Sequence, residues 1–378
     1  MTRSLNRSSR AVDRGRRQRI VVAMSGGVDS SATAAWLLEQ GHEVIGITMQ
    51  LWDAGGTDSG QGHARRCCAS DDLNDARRVA DTLGIPFYVV NFEAEFRRQV
   101  VDDFIASYVA GYTPNPCIRC NQKLKFHHLL HKAHGLGADT LATGHYASRR
   151  ITSSGVPQLW RATDAAKDQS YFLFTMTRQQ LSCLLFPLGS LSKQQTRALA
   201  ERHGLHVSHK RESQDICFIR GRDHGEFLRQ QDGRLLQPGE VVDRSGKILG
   251  QHRGIACYTI GQRHGLGIAA NRPLYVIELQ PETNRVVVGP EQALYRQQMT
   301  LHDVNWLGDV WLDQPQSLMV QIRYGAAEQA ALVEPLPDQR ARVTFAQPQR
   351  GITAGQAAVF YQGQQLMGGG WIEKPQED

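Results

Sequence analysis

The sequence predicts an α/β fold with a doubly wound parallel sheet, followed by a small central β domain and a C-terminal β-barrel. Up to about residue 220, short apolar runs alternate with helical patterns, which is typical of a parallel sheet covered by helices. Beyond that point, short alternating runs are separated by Gly, Asn and Asp turns, which is typical of β modules. The length of 378 residues exceeds what one hydrophobic core usually organises, so we expect two or three domains.

The first βαβ unit is predicted directly after the N-terminal segment. Residues 19–24 form an apolar run typical of a buried strand, and residues 43–49 form the next one. Between them, residues 30–40 are predicted as a helix, with Asp29 as its N-cap and Gly41 as its C-terminal stop. This strand, helix and strand together predict parallel pairing.

The same alternation continues further along the chain. Residues 72–83 are predicted as a helix ended by Gly84, and residues 87–92 as a strand. Residues 141–143 are predicted as a later strand that ends at Gly144. Repetition of the unit predicts a doubly wound sheet of the Rossmann-like kind.

The second half of the chain has β patterning. Residues 240–242 and 247–249 flank a turn, and residues 277–288, 341–345 and 357–361 continue this style. The predicted organisation, in chain order, is a disordered basic tail (1–18), an α/β domain with a helical insert (19–222), a central β-rich domain (223–289) and a C-terminal β-barrel (290–378).

Composition limits the classes of protein to consider. No apolar run approaches the roughly 20 residues that span a bilayer, and the N-terminus lacks the apolar stretch of a secretory signal, so we expect a cytoplasmic protein with no membrane partner. The formal net charge of +6 favours a polyanionic partner such as nucleic acid. Seven cysteines indicate thiolate chemistry or metal binding rather than a disulfide framework.

Residues 25–30, S-G-G-V-D-S, lie between a predicted strand and a predicted helix. Backbone N–H groups and the helix N-terminus converge there, so we expect a phosphate to bind. Gly26 and Gly27 permit close backbone approach, Ser25 and Ser30 offer hydroxyl donors, and Asp29 is placed to help hold Mg²⁺. A Walker lysine is absent from the loop.

Residues 23–30 resemble the PP-loop of the ATP pyrophosphatases, which adenylate an oxygen and release pyrophosphate. The resemblance implies that ATP, with Mg²⁺, is a cofactor, and that the adenine lies against the end of the second strand. The ATP-binding residues it implies are Ala23, Met24, Ser25, Gly26, Gly27, Val28, Asp29, Ser30, Met49 and Gly144.

Two cysteines, Cys117 and Cys120, follow a proline-bracketed turn and precede a helical run at residues 122–134. Their place at a helix N-terminus near Arg119, Lys123 and Lys125 predicts lowered thiol pKa values. A third cysteine, Cys217, is remote in sequence. Both thiols of the pair are therefore predicted to react or to bind a metal.

This combination resembles the tRNA-specific 2-thiouridylase family. The motifs, in family order, are N-P-C-I-R-C-N at 115–121, G-H-Y at 144–146, K-D-Q-S-Y at 167–171, D-I-C-F at 215–218, T-I-G-Q-R-H-G-L-G at 259–267, R-Y at 323–324 and G-Q at 355–356. The resemblance implies that Cys120 is the nucleophile and that Cys217 carries a persulfide. Many members have Asp at the position of Cys117, where it serves as an acid/base group.

The replacement of that Asp leaves the sulfur chemistry open. Cys117, Cys120 and Cys217 together are a candidate set for three irons of an iron–sulfur cluster, with a fourth iron to bind the transferred hydrosulfide. A structural zinc site at the Cys-x-x-Cys pair is a third option. Cys67 and Cys68 have no assigned role.

The resemblance also implies the substrate and its contacts. The wobble uridine of tRNA for Lys, Glu and Gln would be flipped into the site and adenylated on its 2-oxygen. A cysteine desulfurase or a sulfur-relay protein would supply the sulfur. The implied tRNA contacts are Asn115, Pro116, Cys117, His145, Lys167, Asp168, Gln169, Arg323, Tyr324 and Gln356.

Two other functions fit parts of the sequence. Another PP-loop adenylating enzyme, acting on tRNA or a nucleotide, would share the loop but leave the three cysteines unexplained. A non-catalytic RNA-binding iron–sulfur protein would bind tRNA or metal without uridine-dependent release of pyrophosphate.

Overall fold

The computed structural model describes residues 17–52, 67–211, 216–219, 223–309 and 312–375, with the backbone alone at residues 67–70 and 234. The strands of these residues are β1 (Arg19–Ala23), β2 (Glu43–Gln50), β3 (Phe87–Asn91), β4 (Thr140–Thr143), β5 (Ala147–Ile151), β6 (Pro157–Arg161), β7 (Leu184–Leu185), β8 (Gly239–Asp243), β9 (Ile248–His252), β10 (Tyr275–Gln280), β11 (Arg285–Gly289), β12 (Tyr295–Trp306), β13 (Gln316–Gln321), β14 (Gln329–Leu336), β15 (Arg340–Arg350), β16 (Ala357–Gln362) and β17 (Gln365–Ile372).

The α-helices of the same residues are α1 (Val28–Glu39), α2 (Cys67–Leu83), α3 (Glu93–Phe96), α4 (Asp102–Val109), α5 (Pro116–Cys120), α6 (Leu130–Gly135), α7 (Arg178–Ser182), α8 (Lys193–Arg202) and α9 (His224–Gln231). Two π-helical stretches, Arg97–Val101 and Asn121–Leu129, join α3 to α4 and α5 to α6. Residues 116–135 therefore form one continuous helical rod. None of the helices within the described ranges is both long and apolar enough to cross a membrane.

The N-terminal part contains a five-stranded sheet in the order β3-β2-β1-β4-β7, in which all neighbouring strands are parallel. Successive residues of the central strand β1 pack to opposite sides. Val21 belongs to one hydrophobic cluster, whereas Ile20 and Val22 belong to another. Both faces of the sheet are thus covered, and the predicted doubly wound α/β arrangement is confirmed.

Helix α1 begins earlier than predicted. Its N-cap is Gly27, which has an extended backbone, so that Asp29 lies inside the first turn. The prediction that Asp29 caps this helix is wrong, because the preceding loop completes its turn at Gly26 and Gly27 and the helix starts at once. The Asp29 carboxylate is therefore available to partners outside its own helix.

The second half of the chain forms two β structures, as predicted. A four-stranded sheet has the order β10-β11-β8-β9. Strands β12-β15-β14-β13-β16-β17 form an antiparallel barrel, which the pairing of β12 with β17 closes. Strand β17 also pairs with β6, so the hairpin β5–β6 extends the barrel sheet. This sheet therefore contains strands from two of the predicted domains.

A third hydrophobic cluster connects the helical region to the central β structure. It contains Phe104 of α4, Phe218 and Ile219, and strand residues such as Val276 and Val286. The Phe218 ring lies 5.2 Å from both the Phe104 and the Phe227 rings, measured between centroids. This cluster fixes the position of the chain next to Cys217.

Candidate active site

The loop at residues 25–30 lies at the carboxyl end of β1, where open parallel sheets bind ligands. Ser30 Oγ accepts a hydrogen bond from the Ser25 amide at 3.1 Å and lies 3.2 Å from the Gly27 carbonyl oxygen, to which it donates. Ser31 Oγ donates to the same carbonyl oxygen at 2.9 Å. The hydroxyl groups therefore hold the loop closed around its backbone N–H groups.

Two glycines of the predicted ATP site allow close contacts between backbone segments. Gly26 has a φ of +71°, and a Cβ at this position would lie 2.0 Å from the main-chain oxygen of Asp72 in α2. A Cβ on Gly144, after β4, would lie 2.8 Å from the amide nitrogen of Ser30. The structure thus brings Gly144 against the loop, 114 residues away in sequence from Ser30 (144 − 30).

The other predicted ATP residues lie around the same sheet edge. Met24 is buried, and its carbonyl accepts a hydrogen bond from Thr48 Oγ1 at 2.8 Å. Met49, near the end of β2, is partly buried and packs against two of the hydrophobic clusters. Val28 is buried and Ala23 is partly buried. The structure therefore brings these predicted ATP-binding residues together at one edge of the sheet.

Asp29 is held by two residues whose contact the sequence analysis did not predict. Lys193 Nζ lies 2.8 Å and 2.9 Å from its two carboxylate oxygens. The Tyr146 hydroxyl lies 2.9 Å from Asp29 Oδ1. Lys193 is the first residue of α8, where the helix dipole disfavours a cation. That unfavourable position is a sequence signal that Lys193 has an acidic partner elsewhere.

The cysteine turn is shaped by its own residues. Asn115 is the N-cap of α5, and its Oδ1 accepts a hydrogen bond from the Ile118 amide at 3.4 Å. Pro116 occupies the first helical position, where a missing N–H costs nothing. Cys117 is exposed and Cys120 is partly buried. The two thiols therefore lie within α5, at the start of the helical rod, which begins at Pro116 and not at residue 122 as predicted.

The predicted lowering of the cysteine pKa values is wrong. Burial raises the pKa of the Cys120 thiol, and the positive charge of Lys125 only partly opposes this. Desolvation by surrounding protein also raises the pKa of the Cys117 thiol, with a further contribution from Cys120. The cost of desolvating a thiolate outweighs the nearby cation. Both residues are therefore mainly thiols at neutral pH.

Lys125 and His145 connect the cysteine turn with the phosphate loop. Lys125 Nζ donates to Asn121 Oδ1 at 2.9 Å, and its charge acts on Cys117, Cys120 and His145. His145 directly follows Gly144, which contacts the loop. Burial, with a smaller effect from Lys125, holds the pKa of His145 well below its usual range. His145 is therefore a neutral imidazole that adjoins the phosphate loop through Gly144 and the cysteine turn through Lys125.

Cys217 approaches the same region from another part of the chain. It is exposed, whereas the following residues Phe218 and Ile219 are buried in the third hydrophobic cluster. Cys120 and Ile216 pack against that same cluster. The residues on both sides of Cys217 and the Cys120 side chain therefore contact the same hydrophobic cluster.

The iron–sulfur ligand set is not assembled in the part of the chain that the structure describes. No group of three His, Cys, Asp or Glu side chains there is arranged to hold a metal ion. Cys117, Cys120 and Cys217 thus do not form a three-cysteine cage in this conformation, and the cluster stays a prediction. The side chains of Cys67 and Cys68 lie outside the described residues.

The predicted tRNA contacts divide into exposed and internal groups. Arg323 is exposed, and Tyr324 is 47% exposed, with its ring centroid 4.5 Å from that of Phe172. Lys167 is partly exposed. These three side chains lie where an RNA could reach them.

Three other predicted contacts make hydrogen bonds within the protein. The Asp168 carboxylate is buried and accepts from the Ala162 amide at 2.9 Å and from Ser170 Oγ at 2.7 Å. Gln169 Oε1 accepts from the Tyr146 amide at 3.1 Å. Gln356 Nε2 donates to the Thr113 carbonyl at 2.9 Å. Each of these side chains thus has a structural partner near the site.

The fold and this geometry define a PP-loop protein, of the ATP pyrophosphatase class, with a cysteine pair connected to its phosphate loop. Three family models match in succession: the tRNA methyl transferase HUP domain at residues 18–221, the tRNA methyl transferase PRC-barrel domain at 225–290 and the aminomethyltransferase beta-barrel domain at 296–372. The chain belongs to the tRNA-specific 2-thiouridylase family, as its relatives show.

The tRNA-specific 2-thiouridylase MnmA of Magnetococcus marinus is 61% identical over 355 residues, covering 94% of this chain and 99% of that protein. The same enzyme of Geotalea uraniireducens is 50% identical over 366 residues, covering 96% of each chain. Among solved structures, a 4-thiouridine synthetase–RNA complex with bound ATP aligns with a TM-score of 0.34 and 18% identity, over 57% of this chain and 50% of that one. That last likeness is too weak to support a conclusion.

Proposed function

We propose that the protein catalyses ATP-dependent 2-thiolation of the wobble uridine in tRNA of the Lys, Glu and Gln type. The observation that carries this proposal is the continuity between phosphate loop and cysteine turn. Gly144 lies against Ser30, and the next residue, His145, shares the charge of Lys125 with Cys117 and Cys120. A base placed at this junction would meet ATP on one side and sulfur chemistry on the other.

The first step is adenylation of the uridine. ATP binds with its phosphates on the loop at residues 25–30, where the backbone N–H groups and the α1 N-terminus stabilise negative charge. Asp29 would hold the Mg²⁺ of the nucleotide complex, for which its pairing with Lys193 must loosen. The 2-oxygen of uridine attacks the α-phosphate, pyrophosphate leaves, and the 2-oxygen becomes part of an AMP leaving group.

The second step transfers sulfur. Cys217, loaded as a persulfide, and Cys120 then act as a pair: the Cys120 thiolate attacks Sγ of Cys217, the S–S bond to the terminal sulfur breaks, and a Cys120–Cys217 disulfide forms. The released hydrosulfide adds to C2 of the uridine, and AMP departs to leave 2-thiouridine. An external thiol reductant returns both cysteines to thiols. Because Cys217 is exposed, a cysteine desulfurase or sulfur-relay protein could transfer the persulfide sulfur to it. This transfer would take place in the cytoplasm.

The raised pKa of Cys120 has a consequence for this step. A base must remove its proton once the substrate is bound. His145 shares the Lys125 environment, but its low pKa makes it a weak base for a thiol whose pKa is raised, so we assign it no part in this proton transfer. Cys117 stands at the position where the family resemblance implies Asp in many members. It would border the flipped uridine rather than serve as the acid/base group.

Recognition of the tRNA would use the exposed basic and aromatic groups. Tyr324 presents an aromatic face beside Phe172 on which a base can stack, and Arg323 can pair with phosphate. Asn115 is partly exposed at the start of the cysteine turn, where a flipped base would lie, and the buried Pro116 would fix the shape of that turn. These contacts extend from the barrel to the cysteine turn.

The test uses the purified full-length chain with an unmodified tRNA transcript, ATP, Mg²⁺ and a persulfide donor, and measures 2-thiouridine and pyrophosphate separately. Cys217→Ala should retain tRNA-dependent pyrophosphate release and lose 2-thiouridine. Cys183→Ala is the matched control, because Cys183 lies between α7 and β7 and not on the cysteine turn, and it should retain both products. Pyrophosphate release that does not depend on tRNA, or thiolation by Cys217→Ala at the wild-type rate, would contradict the proposal.

A further inference from the structure

Arg161, the last residue of β6, forms ion pairs with two segments that lie far apart in sequence. Its Nη1 lies 3.1 Å from Asp168 Oδ2, and its Nη2 lies 2.5 Å from Glu328 Oε2. Asp168 belongs to residues 167–169, here called the K-D-Q segment. Glu328 ends residues 322–328, here called the R-Y loop, which joins β13 to β14. Both segments contain predicted tRNA contacts, and Arg161 connects them across 160 positions of sequence (328 − 168).

The surroundings of the Arg161 guanidinium restrict it to this role. Its central carbon lies 3.5 Å from the ring centroid of Tyr361 in β16. The Arg161 side chain is 18% exposed and the Asp168 side chain 7%, so water and salt screen their pairing less than that of a surface pair. Two carboxylates face this one guanidinium, so the group as a whole does not attract a phosphate. Arg161 is therefore placed to hold protein segments together rather than to bind RNA.

The K-D-Q segment is the fixed side of this connection. Besides the bond from Arg161, the Asp168 carboxylate accepts hydrogen bonds from the Ala162 amide at 2.9 Å and from Ser170 Oγ at 2.7 Å. Ser170 Oγ also lies 3.1 Å from the Tyr361 hydroxyl oxygen. The main chain next to Asp168 is thus tied to β6 and to the barrel.

The R-Y loop is held at two places against the neighbouring part of the chain. The Tyr324 ring lies 4.5 Å from the Phe172 ring, measured between centroids, and the last residue of the loop pairs with Arg161. Within the loop, the Ala326 carbonyl accepts a hydrogen bond from Gln321 Nε2 at 3.0 Å. The backbone is therefore positioned although the Tyr324 side chain is 47% exposed.

An arginine suits this connection better than a lysine would. Its planar fork offers several N–H donors in fixed directions, so that two carboxylates and an aromatic ring can contact it at once. A loop that is ordered before the RNA arrives also loses less conformational entropy when the RNA binds. The ion pair with Glu328 can thus affect tRNA affinity without touching the tRNA.

We propose that Arg161 is a positioning residue that joins the K-D-Q segment and the R-Y loop into one preorganised tRNA-binding surface. This inference rests on the proposed function, in which both segments contact tRNA. Arg161 acts through Glu328 on the loop that presents Arg323 and Tyr324, and it makes no contact with the RNA itself.

The test compares full-length wild type, Arg161→Met and Arg161→Lys by two measurements. One is the rate of amide hydrogen exchange in the R-Y loop without tRNA, and the other is the affinity for an unmodified tRNA transcript at several salt concentrations. In Arg161→Met, the loop should exchange at least about threefold faster. The tRNA should bind about tenfold more weakly, with an unchanged slope of log affinity against log salt. Arg161→Lys should resemble Arg161→Met, because an ammonium lacks the planar fork.

Arg285→Met is the matched control. It also removes an arginine, one that pairs with Glu240 at 2.9 Å in the four-stranded central sheet, which contains neither segment. It should leave the exchange of the R-Y loop and the tRNA affinity unchanged. If Arg161→Met does not fold, Glu328→Gln takes its place, because it weakens the pairing with the loop and leaves the Asp168 pair intact. It should also give faster exchange and weaker tRNA binding.

Three results would overturn the inference. The first is unchanged exchange of the R-Y loop in Arg161→Met, and the second is faster exchange with unchanged tRNA affinity. The third is a salt slope reduced by about 0.7 to 0.9, which would show that Arg161 is itself a phosphate contact. Neither measurement needs ATP or sulfur transfer. The expected differences in tRNA binding without any 2-thiouridine formation would therefore support this inference and contradict only the thiolation chemistry of the proposed function.

Discussion

The side-chain amide of Gln356 donates a hydrogen bond to the main-chain carbonyl of Thr113, joining the C-terminal barrel to the cysteine turn at 2.9 Å. The Thr113 amide donates to the Ala354 carbonyl at the same distance. Further along the turn, the Arg119 guanidinium lies 4.3 Å from the ring centroid of Trp371 in β17. The barrel thus holds the turn that carries Cys117 and Cys120.

From this contact we expect Gln356→Ala to lower the thiolation kcat several-fold. Loss of one such hydrogen bond costs about 1 kcal/mol, and the cysteine turn should become less well positioned. Gln297→Ala is a matched control, because Gln297 also donates to a barrel carbonyl, that of Phe345, at 3.1 Å. Steady-state kinetics and tRNA binding measured together decide the outcome: weakened tRNA binding at unchanged kcat would make Gln356 an RNA contact instead.

Gly26→Ala should abolish ATP binding. The alanine Cβ would meet the Asp72 carbonyl oxygen at 2.0 Å, so α2 or the loop must move. Gly41→Ala provides the control, because Gly41 has a similar positive φ of +82° but open space around it. It should cost about 1 kcal/mol of stability and leave ATP affinity unchanged. Equal ATP affinities for the two variants, measured by calorimetry, would show that the close contact at Gly26 is unimportant.

Alkylation of Cys120 should become faster with pH beyond the ordinary thiol value of 9.0. Burial raises the pKa of this thiol, so the thiolate fraction is small at neutral pH and increases only in alkaline solution. Lys125→Met removes the charge that opposes this shift and should slow alkylation further. Mass-spectrometric peptide mapping from pH 7 to 10 measures both rates; a plateau already near pH 7 would restore the original expectation of a lowered pKa.

His145 should destabilise the protein in acid. Its folded-state pKa is well below the ordinary 6.5 because the surrounding protein desolvates the charged ring, so the unfolded chain binds a proton first as the pH falls. Its contribution to stability is therefore fully present above about pH 6.5 and is lost as the pH falls toward the folded-state pKa.

The variant that tests this is His145→Gln. It should flatten the decrease in melting temperature between pH 7.5 and 5.5, relative to wild type. His209→Gln is the control, because the His209 side chain is 82% exposed and should have little influence. Parallel curves for wild type and His145→Gln would show that His145 is protonated equally in both states.

Much of the site is predictable because its signals are local. The loop at residues 25–30 depends on glycine conformations, hydroxyl groups and the step from strand to helix, all within a few residues. The turn at Asn115 and Pro116 is likewise specified by a capping side chain and a proline, and its two cysteines follow on the first helical turn. Alternating apolar patterns predicted the parallel sheet, and turn residues predicted the β modules.

Local reasoning failed for Cys120, whose pKa depends on how much protein surrounds it rather than on the cations beside it in sequence. It also misassigned the cap of α1, where the path of the loop decides which residue begins the helix.

The sequence by itself determined the class of fold and the phosphate loop, because short-range backbone preferences and residue chemistry specify them, whereas the roles of Cys120 and Cys217 stay a prediction that the family resemblance implies. Only the tertiary structure decided which distant groups hold these elements together. The contacts of Lys193 with Asp29, of Lys210 with Gly26 and of Gln356 with Thr113 each join residues more than a hundred positions apart. Such pairs form because the packing of sheet, helices and barrel brings them within hydrogen-bonding distance, and no local pattern encodes that distance.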